Sequence, residues 1–191
     1  MMQLEQWHQI RLQDIPPSPW RNGGGTTQEL VCWPTPSNWV WRMSVAQVAS
    51  DGPFSEFKGV ERWFAVLSGN GVALEFPGRR EVLGALDPVL HFSGQTPCMC
   101  SLTNGPTVDF NLMTQGVLAD MKRIHCVDFE RNFPAHRTMA IYVIEAGGHI
   151  MIDQQTHALV AESLYWARLE RDTHVALHGV HALLIQLETN Q

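Results

Sequence analysis

The stretch ERWFAVLSGNGVALEF, Glu61–Phe76, predicts two short β-strands joined by a tight turn. Residues 61–67 are rich in aromatic and aliphatic side chains, and Ser-Gly-Asn-Gly separates them from a second apolar run at 72–76. Gly and Asn tolerate the positive φ angles that tight turns between strands require. We therefore expect a β-hairpin here and a fold built mainly from strands.

Short segments of this kind recur along the chain, separated by Gly, Pro, Asn and Asp. Further strands are predicted at 39–49, 107–114, 139–145, 149–153, 163–170 and 181–188. The runs at 139–145 and 149–153 flank a Gly-Gly pair and predict a second hairpin. No segment sustains helical periodicity over three turns, and 117–125 is the best helical candidate. Many short strands with Gly and Pro turns are typical of an all-β sandwich or barrel.

Composition and charge exclude several classes of protein. The 191 residues are 45% hydrophobic and 17% charged, which indicates a globular chain. The net charge is −6 without a run of Lys or Arg, so we expect no nucleic-acid partner. The first ten residues lack the pattern of a signal peptide, and no stretch has the length of a transmembrane helix. We therefore expect no membrane partner. Cysteines at 32, 98, 100 and 126 form no CxxC pair, which favours a reduced, cytoplasmic protein.

Three consecutive glycines lie in PWRNGGGTTQEL, Pro19–Leu30. A Walker phosphate loop needs GK[ST] after its glycines, and a dinucleotide fingerprint needs GxGxxG before a helix. Neither pattern is present, because the residues that follow are Thr-rich and predict a strand. One interpretation is a turn in which the glycines supply positive φ angles. The other is a close approach of a ligand to the backbone, with hydrogen bonds from Asn22 and Thr26.

Four segments, in this order, resemble the HutD/Ves family: PWRNGGGTTQEL, WRMSVAQV, GPFSEFKGVERWFAVLSGNGVAL and DFNLMT. The resemblance spans Pro19–Thr114 and implies an all-β fold of two cupin-like, jelly-roll barrels in one chain. The expected domains are an N-terminal barrel at 1–115, which carries the motifs, and a C-terminal barrel at 116–191. Strands of one barrel could also belong to the other. The resemblance also implies a link to histidine utilization through a small acid such as urocanate or N-formylglutamate. It implies no established reaction.

The metal ligands of a cupin have no counterparts in this sequence. A metal-binding cupin reads HxH, three or four residues, Glu, six residues and Gly. On this frame Ser55 and Phe57 replace the two histidines, Arg62 replaces the Glu, and Gly69 is retained. The later cupin histidine is also missing, because the matching stretch at 88–93 ends in Ser. Ser and Phe are not ligands for transition metals and a guanidinium repels a cation, so we expect neither a metal nor another cofactor.

An inward-facing Arg62 needs a partner, because an unpaired charge in a barrel interior is costly. A ligand carboxylate can supply it in fork geometry, which predicts an acid-binding pocket. The pocket residues that we expect are Arg62, Arg42, Ser44, Asn111, Asn22 and Thr26, with Trp20 and Trp63 as aromatic walls and Glu61, Asp109 and Glu29 as nearby counter-charges. The alternative is that the two arginines make structural salt bridges with these three acids.

Two classes of function follow. The favoured class is a metal-free bicupin that binds a small carboxylic acid and tunes or limits histidine utilization, because no set of acid, base and nucleophile is visible. The alternative is a cupin hydrolase, isomerase or dioxygenase with Glu29, Glu61, Asp109 or His91 as general acid or base. A further histidine run, His174, His178 and His181, spans a strand, a turn and a strand and does not predict a metal site. An edge strand of either barrel could pair with a second copy to form a homodimer.

Overall fold

The computed structural model describes residues 7–145 and 147–188, except for the side chains of Cys126 and Val127. These residues form strands and one short 3-10 turn, Leu12–Asp14, and the predicted all-β class is confirmed. The chain divides into two compact units, Ile15–Gly116 and Met1–Asp14 with Val117–Gln191. In the described residues no helix is long and apolar enough to cross a lipid bilayer.

In chain order the strands are β1 (His8–Arg11), β2 (Ser18–Pro19), β3 (Gly25–Thr35), β4 (Asn38–Val48), β5 (Gly52–Pro53), β6 (Glu61–Ser68), β7 (Val72–Phe76), β8 (Arg79–Leu83), β9 (Leu90–Ser93), β10 (Met99–Leu102), β11 (Thr107–Thr114), β12 (Leu118–Phe133), β13 (Thr138–Val143), β14 (His149–Ile152), β15 (Gln155–Ala158), β16 (Ser163–Arg168) and β17 (Thr173–Glu188).

The unit 15–116 consists of two antiparallel sheets that share one core. The larger sheet has the order β2-β3-β4-β11-β6-β9, and the smaller has the order β5-β10-β7-β8. Val48, Phe64 and Phe92 of the larger sheet pack with Leu74 and Cys100 of the smaller one. Facing sheets whose inner side chains form a single core are the arrangement of a β-sandwich.

The hairpin predicted at 61–76 is wrong, although both of its strands are present. β6 lies between β11 and β9 in the larger sheet, whereas β7 lies between β10 and β8 in the smaller one. The turn between them, with φ of 96° at Gly69 and 95° at Gly71, carries the chain from one sheet to the other. The second predicted hairpin is wrong for a different reason: β13 and β14 lie in one sheet, but each pairs with β17 and not with the other.

The other unit is one seven-stranded sheet arranged around β17. β12 pairs with one edge of β17, and β13 and β14 pair with its other edge. β1 joins this sheet through β16. Inward side chains, including Phe133, Ile141 and Leu177, form its core.

The helix predicted at 117–125 is wrong, because this segment begins the long strand β12. Met121 and Ile124 have a spacing that suits a helical face, and both are buried here within a strand. β12 is paired with β17 over nearly its whole length. This long-range pairing outweighs the weak local preference of the sequence.

Candidate ligand-binding site

A cavity of 440 Å³ lies in the unit 15–116, against the inner face of the larger sheet. Its volume is within the range of about 300–1,000 Å³ that is usual for small-molecule sites. Alternate residues of β4, β6 and β11 face it, because successive side chains of a strand point to opposite sides. The chain before β3 and the loop after β5 complete the wall. The lining residues are Pro19, Trp20, Arg21, Asn22, Thr27, Arg42, Ser44, Ala46, Val48, Pro53, Phe54, Ser55, Phe57, Arg62, Phe64, Asn111 and Met113.

Arg62 is a buried cation in this wall, with 5% of its surface exposed. Its Nη2 donates a hydrogen bond of 2.8 Å to Asn111 Oδ1. Its guanidinium carbon lies 5.0 Å from the centre of the Phe54 ring and 5.1 Å from that of Phe92. Burial, and to a lesser degree the positive charge of Arg42, lowers the pKa of Arg62 to about 10, so it stays charged at neutral pH. Among the described residues, no carboxylate lies within ion-pair distance of Arg62, and its Nε is buried without a hydrogen-bond partner.

Arg42 is a second cation on the same face of the sheet. Arg42 on β4 and Arg62 on β6 both lie opposite Met113 of the intervening strand β11. Their Cα atoms are therefore about 10 Å apart, which is two strand spacings. Arg42 Nη2 lies 3.5 Å from Glu29 Oε2, and its Nε is buried without a hydrogen-bond partner.

The glycine run forms a turn, and Trp20 and Asn22, which precede it, line the cavity. Asn22 Oδ1 accepts a hydrogen bond of 3.0 Å from the Gly24 N–H. Trp20 Nε1 donates one of 2.7 Å to Thr27 Oγ1. A Cβ at Gly25 would lie 2.3 Å from the carbonyl oxygen of Gln47 and 3.2 Å from the Trp20 ring. Glycine is thus needed here because a Cβ would collide with the backbone carbonyl of Gln47, while the Trp20 ring leaves little room on the other side.

The predicted site residues divide into two groups. Arg62, Arg42, Ser44, Asn111, Asn22 and Trp20 share the cavity wall. Thr26, Glu29, Glu61, Asp109 and Trp63 lie outside this lining.

Alternation along the strands explains most of these positions. Thr26 faces away from the side of β3 on which Thr27 reaches the cavity. Glu61 binds His91 Nε2 at 2.9 Å, and both side chains are half exposed. Trp63 stacks on the same His91, with ring centres 4.3 Å apart, on the side of β6 opposite Arg62. Of the structural salt bridges weighed from the sequence, the Arg42–Glu29 pair is present.

Asp109 is fully buried, on the same face of β11 as Asn111 but deeper in the unit. It lies opposite Ala46, which lines the cavity. Thr107 Oγ1 donates a hydrogen bond of 3.0 Å to its Oδ2, while its Oδ1 is buried without a partner. Burial raises the pKa of Asp109 to about 7, and the Thr107 hydrogen bond opposes that shift.

The positions of the cupin metal ligands meet at this cavity, but their side chains do not fit a divalent metal. Ser55, Phe57 and Arg62 all line it. They offer no carboxylate, imidazole or thiolate, and the guanidinium opposes a cation. In the residues that the structure describes, no group of three or more His, Cys, Asp and Glu is placed to hold a metal ion.

The histidine run of the other unit does not converge on one point. His174 contacts Glu130 at 2.8 Å, and His178 contacts Asp128 at 2.9 Å. His181 lies 3.5 Å from a third carboxylate. Cys32, Cys98 and Cys100 are free thiols, and the side chain of Cys126 lies outside the described residues.

The pocket predicted from the sequence did not include the phenylalanines around Arg62. Phe54 and Phe92 flank its guanidinium, and Phe64 lines the cavity beside it. Alternation could have found Phe64, which is two residues from Arg62 and so faces the same side. Phe92 carries no such signal, because its place beside Arg62 depends on the pairing of β6 with β9.

The two facing antiparallel sheets, with a cavity on the inner face of the larger one, are those of a cupin-like, all-β protein. The chain belongs to the HutD family, whose model matches residues 12–185, and the predicted resemblance is confirmed. It is 35% identical over 112 residues to an uncharacterized 21.2 kDa protein in the hutC 3' region of Pseudomonas putida, covering 58% of this chain and 59% of that protein. It is 38% identical over 106 residues to protein Ves of Cronobacter sakazakii, covering 54% of this chain and 58% of Ves. The chain thus spans less than two thirds of the length of the curated relatives it matches.

Solved structures share the fold over a longer range. A conserved protein of unknown function from Pseudomonas aeruginosa PAO1 has a TM-score of 0.87 and 27% identity, covering 96% of this chain and 100% of that one. HutD from Pseudomonas fluorescens SBW25, in a formate condition, has a TM-score of 0.85 and 24% identity, covering 97% of this chain and 100% of that one. The YlbA protein of Escherichia coli has a TM-score of 0.70 at 10% identity, covering 100% of this chain and 94% of that one, which shows the fold alone.

Proposed function

We propose that this chain binds a small carboxylic acid in the Arg62 cavity and thereby tunes or limits histidine utilization in the cytoplasm. The observation that carries the proposal is the buried guanidinium of Arg62, which contacts an amide and two aromatic rings but no carboxylate among the described residues. A buried charge without a counter-charge is costly. A ligand carboxylate offers a counter-charge and matches the planar fork of the guanidinium.

The nature of the acid is proposed from the family. The HutD/Ves resemblance points to acids of histidine breakdown, of the urocanate or N-formylglutamate type. One relative is described by its place in the hutC 3' region of Pseudomonas putida, which agrees with a link to that pathway. Aromatic and polar side chains share the cavity wall with Arg62, so both the apolar body and the polar groups of such an acid would find partners.

The composition of the wall supports binding over catalysis. The lining residues include no Asp, Glu, His, Cys or Lys. The groups considered as general acids or bases, Glu29, Glu61, Asp109 and His91, lie outside the lining. Proton transfer requires such a group within about 3.2 Å of the reacting atom, or one water away.

The test is thermal unfolding with urocanate, N-formylglutamate, formiminoglutamate, histidine or glutamate at millimolar concentration. A ligand at 100 times its Kd adds about 2.7 kcal/mol of stability, which raises the Tm by roughly 5–10 °C for a protein of this size. We expect a rise with at least one acid of the pathway and its loss in Arg62→Gln.

Arg79→Gln is the matched control, because Arg79 also lies over an aromatic ring, 4.7 Å from the centre of Phe76, but outside the cavity. It should leave the ligand-induced rise unchanged. If none of the acids raises the Tm, the proposal is wrong. NMR spectra of the same mixtures would show consumption of the acid if the alternative, an enzyme, is correct.

A further inference from the structure

The long strand β12 has one edge that no other strand covers. β12 pairs with β17 along one edge, and within the part of the chain that the structure describes no strand pairs with its other edge. By contrast, β4 of the unit 15–116 has a strand on each side, β3 and β11. An uncovered edge presents a row of backbone N–H and C=O groups that can pair with a strand of another chain.

The first half of β12, residues 118–125, is regular enough to form such a pair. Its register with β17 is unbroken from Leu118 to His125, and the β-bulges follow only after His125. A β-bulge bends a strand and interrupts pairing along it, so the bulges confine regular pairing to this first half. Leu118 is 71% exposed, which leaves an apolar side chain uncovered at the start of the segment.

The side chains of this segment are complementary to a second copy of the same segment. A two-fold axis perpendicular to the sheet makes the two copies antiparallel and keeps equivalent faces of the two strands on the same side. With Met121 on the axis, Asp120 of each copy lies directly opposite Lys122 of the other copy. In the same register Leu118 of each copy lies opposite Ile124 of the other. Pairs of opposite charge and pairs of apolar side chains both stabilise neighbouring strands.

The two neighbouring registers place like charges against one another. An axis through residue 120 sets Asp120 opposite Asp120, and an axis through residue 122 sets Lys122 opposite Lys122. Like charges directly opposite one another destabilise a strand pair. Both side chains are at least about half exposed and lie 3.0 Å apart within one copy, so their charges reach the edge of the sheet. The sequence of the segment thus favours one register with itself.

We propose that this chain forms a two-fold symmetric homodimer in which the segments 118–125 of two copies pair antiparallel about Met121. The pairing joins the two seven-stranded sheets into one continuous sheet. A second copy is the partner because the segment matches itself in charge and in apolar side chains. The inference does not depend on ligand binding in the Arg62 cavity.

Sedimentation equilibrium of the whole chain over a wide range of concentrations tests the proposal. The wild type should show an equilibrium between monomer and dimer. Asp120→Lys and Lys122→Asp each turn two attractive pairs into two repulsive ones, so each should raise the dissociation constant of the dimer at least about tenfold. The double variant, with both substitutions, restores opposite charges across the axis and should restore the dimer.

Glu75→Lys is the matched control for these charge changes. Glu75 and Arg80 form an ion pair across β7 and β8, with 3.6 Å between Oε1 and Nε, and both side chains are more than half exposed. The pair lies in the smaller sheet of the unit 15–116, away from β12 in the topology. Glu75→Lys should therefore leave the dissociation constant of the dimer unchanged.

Disulfide crosslinking tests the register. Directly opposite residues of antiparallel strands have Cα atoms about 4.5–5.5 Å apart, which a disulfide can span. Two copies of residue 120, or two copies of residue 122, would be about 8 Å apart in the proposed register, which is too far. Oxidation of a mixture of Asp120→Cys and Lys122→Cys chains should therefore give a covalent dimer. Either variant alone should give no more of it than the wild type.

The outcomes decide both the interface and its register. A wild type that stays monomeric at every concentration would overturn the proposal. A dimer that both single charge changes leave intact would also overturn it, because the copies would then meet through another surface. Crosslinking of either cysteine variant alone as strongly as the mixture would overturn the register about Met121.

Discussion

Arg62 Nη2 donates to Asn111 Oδ1 at 2.8 Å across the neighbouring strands β6 and β11. The amide orients the guanidinium but carries no charge, so the cation is held in place without being neutralised. A carboxylate at the same position would neutralise it from within the protein. The identity of residue 111 therefore decides whether the site stays available to an external acid.

Asn111→Asp should close the site. The new carboxylate would pair with Arg62, so the free energy of unfolding of the ligand-free protein should rise or stay level while acid affinity falls at least about tenfold. Thermal unfolding with and without the acid that stabilises the wild type most measures both effects. Asn104→Asp, at an exposed position in the same unit, is the matched control. Undiminished binding of that acid in Asn111→Asp would show that Arg62 is not the anchor.

Arg62→Met tests whether the charge of Arg62 serves ligand binding or stabilises the folded protein. A buried ion without a counter-charge has a desolvation cost of several kcal/mol, which an apolar side chain of similar length does not have. We expect a free energy of unfolding, measured by urea denaturation without ligand, that is unchanged or higher. A loss of about 3 kcal/mol or more would mean that the protein itself compensates Arg62, as in the salt-bridge alternative.

Gly25→Ala tests the packing that holds Trp20 on the cavity wall. Its Cβ would lie 2.3 Å from the backbone oxygen of Gln47, so the strand or the indole must move. We expect a loss of about 1–3 kcal/mol in the free energy of unfolding and weaker acid binding. Gly52→Ala is the control, because a Cβ there meets nothing within 4 Å. Equal stability of the two variants would contradict this account of the glycine run.

The sequence predicted the face of the sheet on which a side chain lies better than it predicted which strands pair with one another. Alternation placed Arg42, Ser44 and Asn111 on faces that the structure brings to one cavity, because the period of two is a local property of an extended chain. The turn residues at 69–71 indicated a turn correctly. Whether the flanking strands pair or diverge into two sheets depends on β11 and β10, which are distant in sequence.

Depth within the unit 15–116 is a second property that alternation does not give. Asp109 and Asn111 share a face of β11, and the sequence treated both as pocket residues. The structure places Asn111 in the cavity wall and Asp109 in the fully buried row next to it. A strand pattern distinguishes inside from outside, whereas the distance from the mouth of a cavity depends on how the other sheet covers it.

Asp109→Asn should stabilise the protein in a way that depends on pH. Burial raises the pKa of Asp109 from its ordinary value of 3.8 to about 7, so the folded state holds a proton that the unfolded state has released. The stability that this proton contributes is fully present below about pH 4 and is lost as the pH rises through about 7. The asparagine cannot ionise, and its Oδ1 can still accept the Thr107 hydroxyl. Its advantage over the wild type should therefore grow between pH 5 and pH 8, by an amount on the order of a few kcal/mol.

Urea denaturation of both proteins at pH 5 and pH 8 measures this difference. Asp120→Asn is the control, since Asp120 is half exposed beside Lys122, and its expected effect is small at both pH values. If the difference between Asp109→Asn and the wild type is the same at pH 5 and pH 8, Asp109 does not titrate in this range. Its carboxyl group would then keep one charge state over the whole range, and burial would not raise its pKa to about 7.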